Sequence, residues 1–127
     1  IPLDCHQISA GLTTNDLQRS LRFYVDGLGF TLGEQHEVDG TVRHAMLKAG
    51  AGELGISQDD FAKGKDRVKG VGMRLWITTT QDLHALANQV KQVGFSLDSE
   101  VAPLPWGPVG FAVTDPDGFK LTVSNPG

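Results

Sequence analysis

Val109-Gly110-Phe111-Ala112-Val113-Thr114-Asp115-Pro116-Asp117-Gly118-Phe119-Lys120-Leu121-Thr122-Val123 contains two strands and the turn that joins them. Proline fixes φ and glycine supplies positive φ, so Asp115-Pro116-Asp117-Gly118 predicts a tight hairpin turn. The flanks, Val109 to Thr114 and Phe119 to Val123, are rich in β-branched and aromatic residues and read as paired strands. The last strand alternates. Leu121 and Val123 face one way, and Lys120, Thr122 and Ser124 face the other.

The rest of the chain can be read outward from this hairpin. Gln7 to Leu12 alternates, which predicts a half-buried strand. Thr13-Thr14-Asn15-Asp16 offers helix-capping chemistry, and Leu17, Leu21, Tyr24 and Leu28 follow at helical spacing until Gly27 and Gly29. Phe30 to Glu37 and Thr41 to Lys48 read as strands around the hairpin signal Val38-Asp39-Gly40. Glu53 to Ser57 is a fourth strand after Gly50-Ala51-Gly52. The pattern then restarts. Met73 to Thr80 is a strand, Gln81-Asp82-Leu83 opens a helix, and Leu86, Val90 and Val93 form its apolar stripe. Leu12 to Leu17 matches Thr78 to Leu83, and Gly29 to Leu32 matches Gly94 to Leu97, at an offset of about 65 residues.

A repeat at this period predicts an α+β fold of two tandem βαβββ modules in one domain spanning 1–127. Module 1 is expected at about 5–58 and module 2 at about 72–125, with a charged, glycine-bearing linker at about 59–71. Each module buries one sheet face under its helix, and the other face curls into a trough. Two such troughs set side by side enclose a cavity for a small molecule.

The 127 residues suit a single domain with a modest core. A net charge of −4 argues against nucleic-acid and anionic-membrane partners, and the apolar runs are too short to span a bilayer. The single Cys5 excludes an internal disulfide and a cysteine-based zinc site, and fits a reducing cytoplasm.

Four motifs taken together carry a resemblance: Asp16-Leu17, Phe23-Tyr24 with Leu28-Gly29-Phe30, Pro105-Trp106-Gly107, and Asp115-Pro116-Asp117-Gly118. The chain resembles the vicinal-oxygen-chelate superfamily, the glyoxalase, bleomycin-resistance and extradiol-dioxygenase group, over nearly its whole length. The resemblance implies two βαβββ modules forming a cupped mixed sheet with helices on the outside. Metal-dependent members bind a divalent ion through His or Gln, Glu, His and Glu. Those positions fall here on Ser9, Glu53, Arg74 (or Leu75) and Thr122. Only Glu53 is a competent ligand, so no metal and no cofactor are expected at that place. Of the histidines, His6 and His84 stand apart. His36 and His44 flank the Asp39-Gly40 hairpin, where they read as solvated or core side chains.

On the fifth strand, Met73, Leu75 and Ile77 share one face, and Arg74 and Trp76 share the other. A helix-covered face is uniformly apolar, so Arg74 and Trp76 are expected in the trough. Arg74 would favour an anionic or carbonyl-bearing guest, and Trp76 and Trp106 would stack on a planar one. Gln7, Ser9, Glu53, Lys120 and Thr122 would supply hydrogen bonds and charge. Glu53 is the one candidate for a general base. The leading expectation is a bleomycin-resistance-like homodimer that binds a planar or amphipathic small molecule. The alternatives are a glyoxalase-like lyase or isomerase, with Glu53 as base or with unconventional metal ligands, and a structural or regulatory partner protein.

Overall fold

In the computed structural model, which describes residues 1–127, Asp115-Pro116-Asp117-Gly118 turns the chain as its residues dictate. The Asp115 carboxylate accepts the N–H groups of Asp117 and Phe119, both at 2.9 Å. Gly118 takes φ +101°, a value that side chains oppose. At the other predicted hairpin, Asp39 and Gly40 both have positive φ (53° and 79°), as a type I′ turn requires.

Strands β1 (Ala10–Thr14), β2 (Thr31–Val38), β3 (Thr41–Ala49) and β4 (Gly52–Gln58) form one four-stranded sheet in the order β1-β4-β3-β2. Strands β5 (Arg74–Thr78), β6 (Leu97–Pro103), β7 (Val109–Thr114) and β8 (Lys120–Ser124) form a second, ordered β5-β8-β7-β6. Helix α1 (Leu17–Leu21) follows β1, and helix α2 (Leu83–Gln92) follows β5. In both sheets the first and last strands pair in parallel and the others pair antiparallel. The sequence repeat is therefore a structural repeat, and the α+β fold of two tandem βαβββ modules is present.

Asp16 and Asp82 act as helix starters, Asp16 accepting the Arg19 N–H and Asp82 those of His84 and Ala85. The first helix is α-helical only to Leu21; Arg22–Gly27 continues it with the wider π spacing. Phe23 and Tyr24 are consecutive, and both are wholly buried. The wider turn lets both neighbours face inward, and their rings meet edge to face at 4.9 Å. The strand expected from Gln7 starts instead at Ala10, because the edge strand β1 pairs with β4 only from Ala10–Leu54 to Thr14–Gln58.

The two sheets share no strand pair. The modules meet through their helices and one turn. Tyr24 donates its hydroxyl to Asp115 Oδ2 at 2.7 Å, and the Asn15 N–H donates to Asp117 Oδ1 at 2.8 Å. Arg22 and Gln89 each donate across the junction to a backbone carbonyl, that of Val93 and that of Gly27. One continuous core holds Leu12, Phe23, Tyr24 and Ile56 of module 1 with Val90, Phe111, Leu121 and Val123 of module 2. Phe111 and Val113, on the same face of β7, are both fully buried and structural. Burying each such side chain contributes about 1.5–3 kcal/mol.

The segment between the modules is charged but not simply solvated. Asp59 and Lys69 are both buried and pair at 3.0 Å. Lys69 also donates to Asn15 Oδ1 at 2.7 Å, which ties the segment to the start of α1. Gly70, at φ +77°, packs against the Gly118 carbonyl with no room for a Cβ. No helix is long and apolar enough to cross a membrane.

Candidate functional site

With both helices on the core side, each sheet leaves its opposite face open. On the second sheet the alternation of β5 decides what lies there. Leu75 and Ile77 pack against the core. Arg74, Trp76 and Thr78 therefore point the other way. Trp76 is 62% exposed and Trp106 57% exposed, and their rings meet edge to face at 5.3 Å. Trp106 is carried by the loop between β6 and β7, which Leu104 pins with backbone hydrogen bonds to Pro108 and Gly107. The Arg74 guanidinium donates to Thr122 Oγ1 at 3.0 Å and lies 6.0 Å from the Trp76 ring centre. Lys120 sits opposite Arg74 and Thr122 opposite Trp76 in the β5–β8 register. No carboxylate pairs with Arg74; the salt bridges are Lys69–Asp59 and Lys91–Glu100.

The first sheet presents a different face. Glu53 opens β4, half-buried and opposite Lys48. Gln7 and Ser9 are exposed and precede β1, and the Gln7 amide donates to the Ala51 carbonyl at 3.5 Å. In the middle of this face Gly11 stands opposite Gly55. Beside them His44 Nδ1 lies 2.8 Å from Ser57 Oγ, and His36 stands opposite His44 in the β2–β3 register. His44 and Met46 are thus trough residues that the sequence reading did not place. The signal was available, because Ala45 and Leu47 between and beyond them are fully buried.

Of the eight expected site residues, Arg74, Trp76, Trp106, Lys120 and Thr122 come together on the second sheet. Gln7, Ser9 and Glu53 belong to the first. An open groove of about 850 Å³ runs between the modules and reaches Glu53 and Trp76. It does not include Gln7, Ser9, Arg74, Trp106, Lys120 or Thr122. Its walls are core-facing side chains such as Ala10, Leu54, Leu75, Ile77 and Val123.

Two sheets of this topology, in tandem and each with an open face, define a class, and the comparisons agree. The chain belongs to the Glyoxalase/Bleomycin resistance protein/Dioxygenase superfamily, whose profile matches residues 6–123. Among solved structures it is similar to TioX from Micromonospora sp. ML1, at 20% identity and TM-score 0.75, with 95% of this chain and 98% of that one covered. It is also similar to a glyoxalase-related enzyme from Fulvimarina pelagi, at 19% identity and TM-score 0.75 over 96% of this chain and 89% of that one. A virulence protein from Salmonella typhimurium aligns at 21% identity and TM-score 0.70, over 98% of each chain. At these identities the likeness concerns the fold. No curated protein matches by sequence.

The divalent ion of the metal-dependent relatives does not fit the side chains at its four positions. By the motif spacing one falls on Thr122 and another on Arg74 or Leu75, and Arg74 hydrogen-bonds Thr122. A guanidinium brings a fixed positive charge and no lone pair to offer a cation. Ser9 is a weak donor, which leaves Glu53 alone.

Proposed function

We propose that this chain is a small-molecule-binding protein that holds a planar, anionic or carbonyl-bearing guest without a metal at the superfamily position. The observation that supports it best is the exposed Trp76–Trp106 pair beside Arg74. Two large aromatic side chains left in solvent, with a guanidinium over one of them, offer a flat apolar surface and a directed positive charge. That combination suits an aromatic carboxylate or a similar group.

In this reading the site is completed by a second copy. On the open faces, Gly11 stands opposite Gly55 in the first sheet and Trp76 opposite Thr122 in the second. One face is bare at Gly11, with His44 and Met46 leaning over Gly55, where the other carries an indole. In the adjoining row the first sheet presents Glu53 and the second presents Arg74 and Lys120. Module 1 of one copy thus offers a flat, sparsely filled face, with Glu53 beside Lys48, to the indole and guanidinium of another copy's module 2. A two-fold dimer would make two equal cups.

The test is a titration of tryptophan fluorescence with naphthoate, a planar aromatic carboxylate, alongside light scattering for oligomeric state. The expected result is saturable quenching by a dimer. A mixture of Glu53→Lys chains with Trp76→Ala chains should regain binding that neither has alone, because each mixed dimer contains one intact cup. A monomer that fails to bind planar carboxylates would overturn the reading.

A further inference from the structure

The open face of the first sheet, whose Gly11–Gly55 row forms one wall of the proposed cup, also carries side chains to which the guest reading assigns no role. Strand β3 buries Ala45 and Leu47 completely, so His44 and Met46 point onto the open face. His44 Nδ1 lies 2.8 Å from Ser57 Oγ, and His44 Nε2 lies 3.3 Å from Met46 Sδ. Gly55 is the floor beneath them. A Cβ there would come within 3.2 Å of both the His44 ring and Met46 Sδ, so the missing side chain is what lets these two groups meet over Gly55. His36 stands directly opposite His44 across the β2–β3 ladder, and directly opposed residues share a face.

These groups have the chemistry of a ligand set. Ser57 engages one ring nitrogen of His44 and turns the other toward the sulfur. An outer hydrogen bond of this kind orients a metal-binding imidazole. A cation at zinc-like distances, about 2.0 Å from an imidazole nitrogen and about 2.3 Å from a sulfur, at a roughly tetrahedral angle, separates the two by about 3.5 Å. The observed separation is 3.3 Å. Imidazole with a neutral thioether selects a soft ion over calcium or magnesium. The geometry points to a Cu(I) site formed by His36, His44 and Met46, with Ser57 orienting His44. It is separate from Ser9, Glu53, Arg74 and Thr122.

The experiment titrates Cu(I) anaerobically against bicinchoninate, using the Cys5→Ser protein because the exposed Cys5 beside His6 would compete for copper. We expect one Cu(I) withdrawn per chain. His36→Gln, His44→Gln and Met46→Leu should each weaken binding at least tenfold, and His84→Gln, on the far helix, should not change it. Histidine ring resonances provide a readout independent of affinity: those of His36 and His44 should move with Cu(I) while that of His84 stays. If the Cys5→Ser protein competes no better than its His36→Gln/His44→Gln derivative, there is no site. If all four ring resonances move together, binding is nonspecific. Trp76→Ala should lose naphthoate and keep copper, so the two proposals fail separately.

Discussion

The two troughs come from one repeated scaffold and differ at the row that matters most. On the open face of the second sheet Trp76 stands opposite Thr122; on that of the first Gly11 stands opposite Gly55. The strand geometry is the same, because the row below is apolar and core-facing in both, Leu12 with Ile56 and Ile77 with Val123. The core-facing rows therefore preserve the scaffold while the open-facing rows are free to diverge. One trough carries the aromatic and cationic groups, and the other carries an open floor with histidines beside it.

The largest expected effect breaks this comparison at its aromatic side. Trp76→Ala should weaken naphthoate binding roughly 100-fold, since stacking of a flat ring contributes about 1–3 kcal/mol. Because Trp76 is mostly exposed, the same change should alter stability by no more than about 0.5 kcal/mol in urea denaturation. A large stability loss with unchanged affinity would place Trp76 in the structural class instead.

The junction provides the contrasting case. Tyr24→Phe should cost about 1–3 kcal/mol of stability, because it leaves the buried Asp115 carboxylate short of a partner. Naphthoate affinity should be unchanged. Burial raises the Asp115 pKa, as it does that of Tyr24. A carboxyl whose folded pKa is raised stabilises most below its unfolded value of 3.8 and loses that contribution as pH rises through the folded value. The Tyr24 hydrogen bond favours the charged carboxylate, so lowering the pH until Asp115 is protonated should narrow the gap between Tyr24→Phe and the parent.

Arg74→Met should weaken naphthoate binding about tenfold, the usual scale for losing one charge-assisted hydrogen bond. A neutral planar ligand should lose less. Asp59 tests the linker. Its hydrogen bond from Lys69 holds its carboxyl below the usual range. That contribution is full above 3.8 and fades as pH falls through the depressed value. Asp59→Asn should thus be more destabilising near neutrality than in strong acid, measured by thermal melts across pH. The smallest effect is on the open floor. Gly11→Ala meets nothing within 4 Å inside the chain and should leave stability unchanged in urea denaturation.

Most of the architecture was legible in the sequence. Alternation set the faces of β5 and β8, Asp-Pro-Asp-Gly and Asp39-Gly40 set two turns, and Asp16 and Asp82 set the helix starts. The repeat then fixed the topology. Three things were not legible. The π-turned continuation after Leu21 depends on packing two adjacent aromatics against a second helix. The burial of Asp59 and Lys69 depends on Asn15, a contact made across the fold. The separation of the two troughs depends on helix-to-helix packing, whereas local periodicity reports only which side of each strand is apolar. For the candidate site, the second-sheet residues could be assigned because apolar neighbours frame them. Gln7 and Ser9 could not, because their strand ends before it reaches them.

The most direct test of the account is naphthoate binding to the purified protein with and without a strong chelator. The account predicts the same affinity in both, lost in Trp76→Ala. Binding abolished by the chelator and restored by a divalent metal ion would contradict it.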